Sequence, residues 1–400
     1  MHLPEDREQR SLEDRAVGAE PDLAGPIDSV IRLALDADPA SAPESEFAIR
    51  FQQTCGPVMA KGVEDTGFYR WHRLVALNEV GGDPGQVEPG GPERLHAWAQ
   101  RQQRDWPTGM STLSTHDTKR SEDVRARLLA GAQDVPGWRR AAQSLLDAAD
   151  DFGVDGPTCY LLWQTVAGAW PIGAERLERY LTKAMREAKQ QTSHVDPDLD
   201  YERRVQQLGR WALAAGPGRD VLEGWLKDIA DSERATTLAA KLVQLTLPGV
   251  PDVYQGCELV DRSLVDPDNR RPVDFEERRG RLSRLDAGGA ARDLDDEKLL
   301  VTATTLRLRA ARSDVFGPSG TYAPFDGGDH VLGFIRGGAV LTLATRAPVR
   351  LAAAGGWRDR SVTLPHGEWT DLFTGRHYAA ELAECSSLFA TLPVALLERR

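Results

Sequence analysis

Cysteine is scarce in this chain, and long apolar runs are missing. The four cysteines, Cys55, Cys159, Cys257 and Cys385, lie far apart with no CxxC pair. That argues against a disulfide framework and against a cysteine metal or redox motif; each reads as a small apolar filler in a reducing cytoplasm. No stretch reaches the length of a membrane-spanning helix. The opening residues, MHLPEDREQR, are polar and partly acidic and do not read as a signal peptide. Positive charge is in deficit as well. A formal net charge of −12 and a pI near 5.3 argue against a nucleic-acid backbone or an anionic membrane as the main partner. What is present is length and arginine. The 400 residues suffice for two or three domains with a large core. Arginine greatly outnumbers lysine, and alanine and glycine are abundant, a bias that a GC-rich genome produces without functional cause.

The most informative stretch is Met110 to Arg127, MSTLSTHDTKRSEDVRAR. Strand-forming and small residues lead to His116 and Asp117, then Thr118, Lys119 and Arg120, and then a helix opens. Ser121 is expected as the N-cap, bonding a free first-turn amide with its hydroxyl. Glu122 and Asp123 suit the positive end of the helix dipole, and Asp123 is one turn from Arg127, close enough to pair. His116 and Asp117 are therefore expected where a strand hands over to a helix, which in (β/α) barrels is the catalytic face. Such a pair can grip neighbouring sugar hydroxyls or stabilise positive charge on a sugar ring. It can also be a capped loop whose Asp bonds backbone amides, or half of a metal site.

In chain order, residues 1–45 are polar and expected to be loosely held, with a short helix over Ser29 to Leu35. From Glu46, apolar residues recur at mixed helical spacing, interrupted at Gly56-Pro57. Lys61, Glu64 and Asp65 then crowd beside Phe68, Tyr69 and Trp71. Rings that stack on a sugar face and charges that bond its hydroxyls come in this mixture; so does a helix with an ordinary ion pair. LNEVGGDPG, Leu77 to Gly85, is a turn, and a helix over Gly90 to Asp105 leads into the strand at Met110. After it the spacing predicts helices at 121–131, 139–151, 158–169, 174–191, 200–214, 219–230 and 234–247. This is more chain than one strand-to-helix connection needs, and it reads as a helical insert at about 128–233. A short buried strand is expected at Val250 to Tyr254, with Glu258 at its carboxyl end. Asp266 to Arg271, DPDNRR, is dense in groups that bind hydroxyls bidentately. A calcium loop is the competing reading, but the spacing and glycine of an EF-hand are missing. From about Leu300 the character changes: His330 to Arg346 reads as two strands around Gly337-Gly338, later stretches keep a strand-like alternation, and 291–400 is expected to be a small antiparallel β domain.

Several long strings, in order, resemble the maltooligosyl trehalose synthases, a group within the α-amylase family of glycoside hydrolases and transglycosylases. They are RFQQTCGPVMAKGVEDTGFYR, LNEVGGDPG, STHDTKRSEDVRAR, LPGVPDVYQGCE and VDPDNRRPVDF. The resemblance implies an α/β fold: the C-terminal part of a (β/α)₈ TIM barrel over 46–290, with the helical insert, followed by a β-sandwich. It implies an isomerase, an intramolecular transferase that turns the reducing-end α-1,4 bond of a maltooligosaccharide into an α,α-1,1 trehalose bond. Such retaining enzymes use a carboxylate nucleophile and a carboxyl acid/base. A third carboxylate binds the distorted sugar, and Asp117 matches it. His116 matches the neighbouring histidine of the same subsite. Lys61, Glu64, Asp65, Tyr69, Lys119, Arg120, Tyr254, Glu258, Asp268, Asn269 and Arg270 are the candidate glucan-binding residues. No metal and no cofactor is implied. The nucleophile and acid/base lie upstream of every matched string, and residues 1–45 hold no candidate for the nucleophile motif. The chain is thus expected to be the C-terminal half of such an enzyme, with uncovered sheet edges that depend on an upstream half. Two other readings stand: a hydrolase or transglycosylase of the same family, and a non-catalytic glucan-binding or interaction protein.

Overall fold

The computed structural model describes residues 21–35, 42–86, 90–379 and 381–400. The expected loose segment up to residue 20 lies outside them. The chain divides into two units, 1–67 and 68–400.

In the first unit, α1 (Ala24–Leu35) packs on α2 (Ala42–Met59). Ala24, Ile27, Ile31 and Ala34 form the more covered stripe of α1, at the spacing of one helical face. The interruption expected at Gly56-Pro57 does not occur. The helix runs through Pro57, which gives up one amide donor, and widens into a π-helical turn at Ala60–Glu64.

In the second unit, α3 (Pro92–Asp105) leads into β1 (Met110–Thr112), which pairs in parallel with β2 (Val250–Asp252). Parallel neighbours need a crossover. Here it is made of α4 (Glu122–Gly131), α5 (Val135–Phe152), α6 (Gly156–Ala169), α7 (Ala174–Ala188), α8 (Leu199–Leu213), α9 (Pro217–Asp228) and α10 (Ala230–Thr246). These follow the predicted helices within a few residues. Their apolar stripes meet in one core: Val124, Leu128, Leu162, Val166, Leu177, Leu181, Val205 and Leu208 are all buried in it. Trp138 stands edge-on to both Trp163 and Trp225. α4 and α6 cross closely at Gly168, where a Cβ would lie 2.8 Å from Val124 Cγ1.

After β2 come α11 (Phe275–Asp286) and α12 (Leu294–Ala311), then the strands β3 (Tyr322–Asp326), β4 (Val331–Arg336), β5 (Val340–Thr345), β6 (Ser361–Thr363), β7 (Trp369–Asp371), β8 (His377–Tyr378), β9 (Leu382–Glu384) and β10 (Val394–Arg399). Six of them form an antiparallel sheet in the order β3-β4-β5-β10-β7-β8, and β6 pairs with β9. The β4–β5 connection uses Gly337 and Gly338 at φ +55° and +65°, the hand that the twist of a tight hairpin demands. β5 is buried along its whole length: Leu341 and Leu343 join one core, while Val340 and Ala344 join another with Leu238 and Leu242 of α10. A strand covered on both faces reads as a continuous apolar run, as AVLTLAT does. Among the described residues no helix is long and apolar enough to cross a membrane, and the four cysteines are free.

Candidate functional site

Between β1 and α4 the chain makes a tight, cross-braced turn. Thr115 N–H donates to Thr118 Oγ1 at 2.8 Å, and Asp117 N–H donates to Thr115 Oγ1 at 3.1 Å. These threonine hydroxyls satisfy the backbone locally, as turn-forming side chains do. His116 is left exposed, and the Asp117 side chain is 43% exposed. The buried Lys119 sits beneath, its Nζ 3.6 Å from Asp117 Oδ1 and 3.4 Å from the Asp117 carbonyl. Asn269, 8% exposed, closes the turn from the far loop: its Nδ2 donates to the carbonyls of Thr115 at 3.3 Å and His116 at 3.1 Å. The Tyr254 hydroxyl donates to the Asn269 carbonyl at 3.3 Å.

The helix start departs from expectation in two ways. Ser121 stands at the N-cap, but its hydroxyl donates to the Asp261 carbonyl, and Ser114 Oγ accepts the Glu122 amide at 3.0 Å instead. Asp123 and Arg127 do not pair. Asp123 takes Lys298 Nζ at 2.6 Å, and Arg127 binds Glu233 at 2.9 Å. Tertiary partners with fixed positions outcompete a weak pair along one helix. Glu122 and Asp123 belong to a buried charge cluster. Lys241 Nζ lies 2.7 Å and Lys298 Nζ 2.8 Å from Glu122 Oε1, and both lysines are fully buried. Burial alone would raise the Glu122 carboxyl, but the two lysines hold it down near 2. These lysines escaped the sequence reading. Their one signal is that each stands inside an apolar run, AAKLVQL and EKLLVTA.

A further residue that was missed is Glu79, inside LNEVGGDPG. Its carboxylate takes Arg125 at 3.0 Å and the Thr118 hydroxyl at 3.5 Å, so it props the turn from a second side. Burial raises its pKa, with Arg125 opposing.

The remaining predicted residues fall in several places. Arg120 is 1% exposed and donates to the Tyr180 hydroxyl at 2.6 Å; its backbone bridges to Leu264. Asp268 is gripped by both nitrogens of the Arg176 fork, at 2.8 and 2.7 Å, and approached by Arg271 at 3.2 Å. Burial works to raise its carboxyl, and Arg176 and the Leu264 amide bring it below the usual range. Arg270 pairs with Asp266 at 2.7 Å, and Glu258 with Arg278 at 3.3 Å. Tyr69 is buried in the helical core. Lys61 and Asp65 belong to the first unit, where they pair at 2.5 Å; Glu64 there is buried. The structure thus gathers His116, Asp117, Lys119, Tyr254 and Asn269 about one turn. One carboxylate and one imidazole reach solvent, and beneath them the Lys119 ammonium and the Asn269 amide nitrogen hold the turn. Such a site can bind hydroxyls and stabilise positive charge. Among the described residues no group of three His, Cys, Asp or Glu could hold a metal ion.

No family model matches the chain. Proteins named as maltooligosyl trehalose synthases in two strains of Mycobacterium tuberculosis are 44% identical over 376 residues, covering 90% of this chain and 46% of theirs. The structure of maltooligosyltrehalose synthase from Arthrobacter ramosus superposes with a TM-score of 0.87 at 41% identity, over 100% of this chain and 52% of that one. A Sulfolobus tokodaii structure titled as a maltooligosyl trehalose synthase gives 0.73 at 28% identity, over 89% and 48%. The chain spans about half the length of the relatives it matches. In sequence and in fold, this chain is similar to about half of a maltooligosyl trehalose synthase.

Proposed function

We propose that this chain supplies one wall of the active site of a maltooligosyl trehalose synthase. In that reading β1 and β2 are neighbouring strands of a TIM barrel within the α-amylase family. Residues 46–290 are the C-terminal part of that barrel with a helical insert near 128–233, and 291–400 are a β-sandwich. The reaction is an intramolecular transfer. The reducing-end α-1,4 bond of a maltooligosaccharide breaks, the glucose stays, and its anomeric hydroxyl attacks to form an α,α-1,1 bond. Water must be kept out, or hydrolysis prevails.

The observation that carries the reading is the braced turn at the carboxyl end of β1. It presents an open Asp117 carboxylate beside an open His116 ring, on a turn held by Thr115, Lys119 and Asn269. A carboxylate held rigidly is suited to positive charge that develops on a sugar ring, because nothing must reorganise as the charge appears. Asp117 is then the transition-state-stabilising carboxylate and His116 a sugar contact in the same subsite. Lys119 and Asn269 act through the turn. The nucleophile and the acid/base would come from sequence outside this chain, supplied by an upstream half of the enzyme that covers the edges of the β1–β2 pair.

The test is an assay of the 400-residue chain on maltohexaose, with and without a co-expressed upstream half of a relative. Loss of reducing ends and release of glucose are followed separately. Loss of reducing ends without glucose, only in the presence of the upstream half and abolished by Asp117→Asn, is expected. Binding without turnover in every combination would instead make this a glucan-binding protein.

A further inference from the structure

One flank of α7, beside its buried stripe, has no role in the reading above. Arg176, Arg179, Tyr180 and Lys183 stand at i, i+3, i+4 and i+7 and so share one side of the helix. They face the loop around Asp268 and Arg271 across a cleft of about 100 Å³. The whole chain is strongly acidic, yet this cleft is lined by four cations, Arg176, Arg179, Lys183 and Arg271, against two carboxylates, Asp266 and Asp268, and Asp266 is already paired with Arg270. Asp268 holds two guanidiniums, those of Arg176 and Arg271, and neutralises only one. Arg179 is answered by Glu175 on its own helix. Lys183 has no carboxylate within ion-pair distance among the described residues. Behind the cleft wall, Tyr180 is 4% exposed and its hydroxyl accepts from Arg120. Arg120 is 1% exposed, has no carboxylate partner among the described residues, and its Nε finds no hydrogen-bond partner. A buried guanidinium without a counter-charge is costly, and an anion nearby would offset that cost.

We propose that this cleft binds a phosphate group, as the free ion or as a monoester of a small sugar. Arginine forks match the planar edge of a phosphate, lysine adds a point charge, and a buried wall strengthens both. Val265 and Pro267 give the cleft an apolar floor on which a sugar ring can rest. The site is separate from the open carboxylate of Asp117, but Asp268 is followed directly by Asn269, which clasps the His116 carbonyl. An occupant would therefore sit one residue from the clasp of the proposed active site.

The experiment is isothermal titration of the 400-residue chain with inorganic phosphate, with glucose monophosphate and with maltose, at matched ionic strength. It needs no turnover, so it is independent of whether the chain is catalytic. Phosphate should bind, and the Arg179→Ala/Lys183→Ala variant should weaken it by about tenfold or more, as expected for losing charge-assisted hydrogen bonds. Both side chains reach solvent, so folding should be kept; circular dichroism checks this, and Lys183→Arg should retain binding if the double variant fails to fold. Tighter binding of the glucose ester would identify a sugar phosphate as the occupant, and equal binding the free ion. No binding of either, or binding unchanged in a folded variant, would overturn the proposal. Binding of maltose alone, lost in the variant, would make the cleft a glucan subsite and overturn it equally.

Discussion

Replacing Lys298 by methionine tests what fixes the start of α4. The ammonium is fully buried and donates to Asp123 Oδ2 at 2.6 Å and the Leu259 carbonyl at 2.9 Å, with Glu122 Oε1 at 2.8 Å. At an effective dielectric near 20, each charge pair is worth roughly 6 kcal/mol of gross attraction. Most of that is cancelled by the desolvation of the same charges, so the gross figure is not the expected loss. Methionine nearly conserves volume, which removes packing from the comparison. What remains is two adjacent buried carboxylates sharing one lysine, Lys241, which lies 2.7 Å from Glu122. Removing one member of a buried pair costs about 3–5 kcal/mol, because the partner charge is left uncompensated. The assay is urea unfolding of the 400-residue chain, wild type against Lys298→Met. Adding Asp123→Asn should restore a large part of the loss. The Asn oxygen still accepts the Asp261 amide, now held at 2.7 Å, while Glu122 keeps Lys241. A single variant within about 1 kcal/mol of wild type, the size of an ordinary surface change, would refute the reasoning. So would a double variant no more stable than the single one.

Other consequences follow from the same geometry. Glu233 lies 2.9 Å from Arg127 and 2.8 Å from Arg262. Burial pushes its carboxyl up, but the two arginines outweigh it and hold the group below its ordinary 4.5. A depressed folded pKa stabilises fully above the unfolded value and is lost as the pH falls through the folded one. The stability gap between wild type and Glu233→Gln should therefore be constant at neutral pH and narrow below 4.5; a gap that widens with acid would contradict the assignment. Asn269→Ala frees two carbonyls of the braced turn and should lower stability by about 1–3 kcal/mol in urea, while Asn269→Asp should be no better, since it sets a carboxylate against those carbonyls. Gly168→Ala drives a methyl toward Val124 and Leu128 and should cost about 1–3 kcal/mol through overpacking. Unchanged unfolding there would mean that α4 and α6 separate easily.

The sequence disclosed what depends on local pattern and hid what depends on distant partners. α7 was legible because it carries a periodic apolar stripe, Leu177, Leu181 and Met185, whereas α6 is buried along consecutive residues from Leu161 to Ala169 and shows no single stripe. The β4–β5 hairpin was legible because two adjacent glycines permit a conformation that other residues resist. The position of His116-Asp117 after a strand and before a helix was legible for the same reason: strand, turn and cap residues are contiguous. The identity of the groups that hold that turn was not. Asn269 comes from a loop 153 residues away, and Lys298 reaches Asp123 from 175 residues away. Neither spacing leaves a mark in a window of any length. Sequence chemistry also treats exposure as given. The family resemblance places Lys119 and Arg120 among the glucan contacts, yet both are 1% exposed. Their charges face inward, one toward Asp117 and the other toward Tyr180. A run of polar residues at a strand-to-helix junction therefore separates into two kinds. Side chains left free by the turn's own hydrogen bonds can meet a substrate. Those folded beneath it set the field and the rigidity with which the free ones do so.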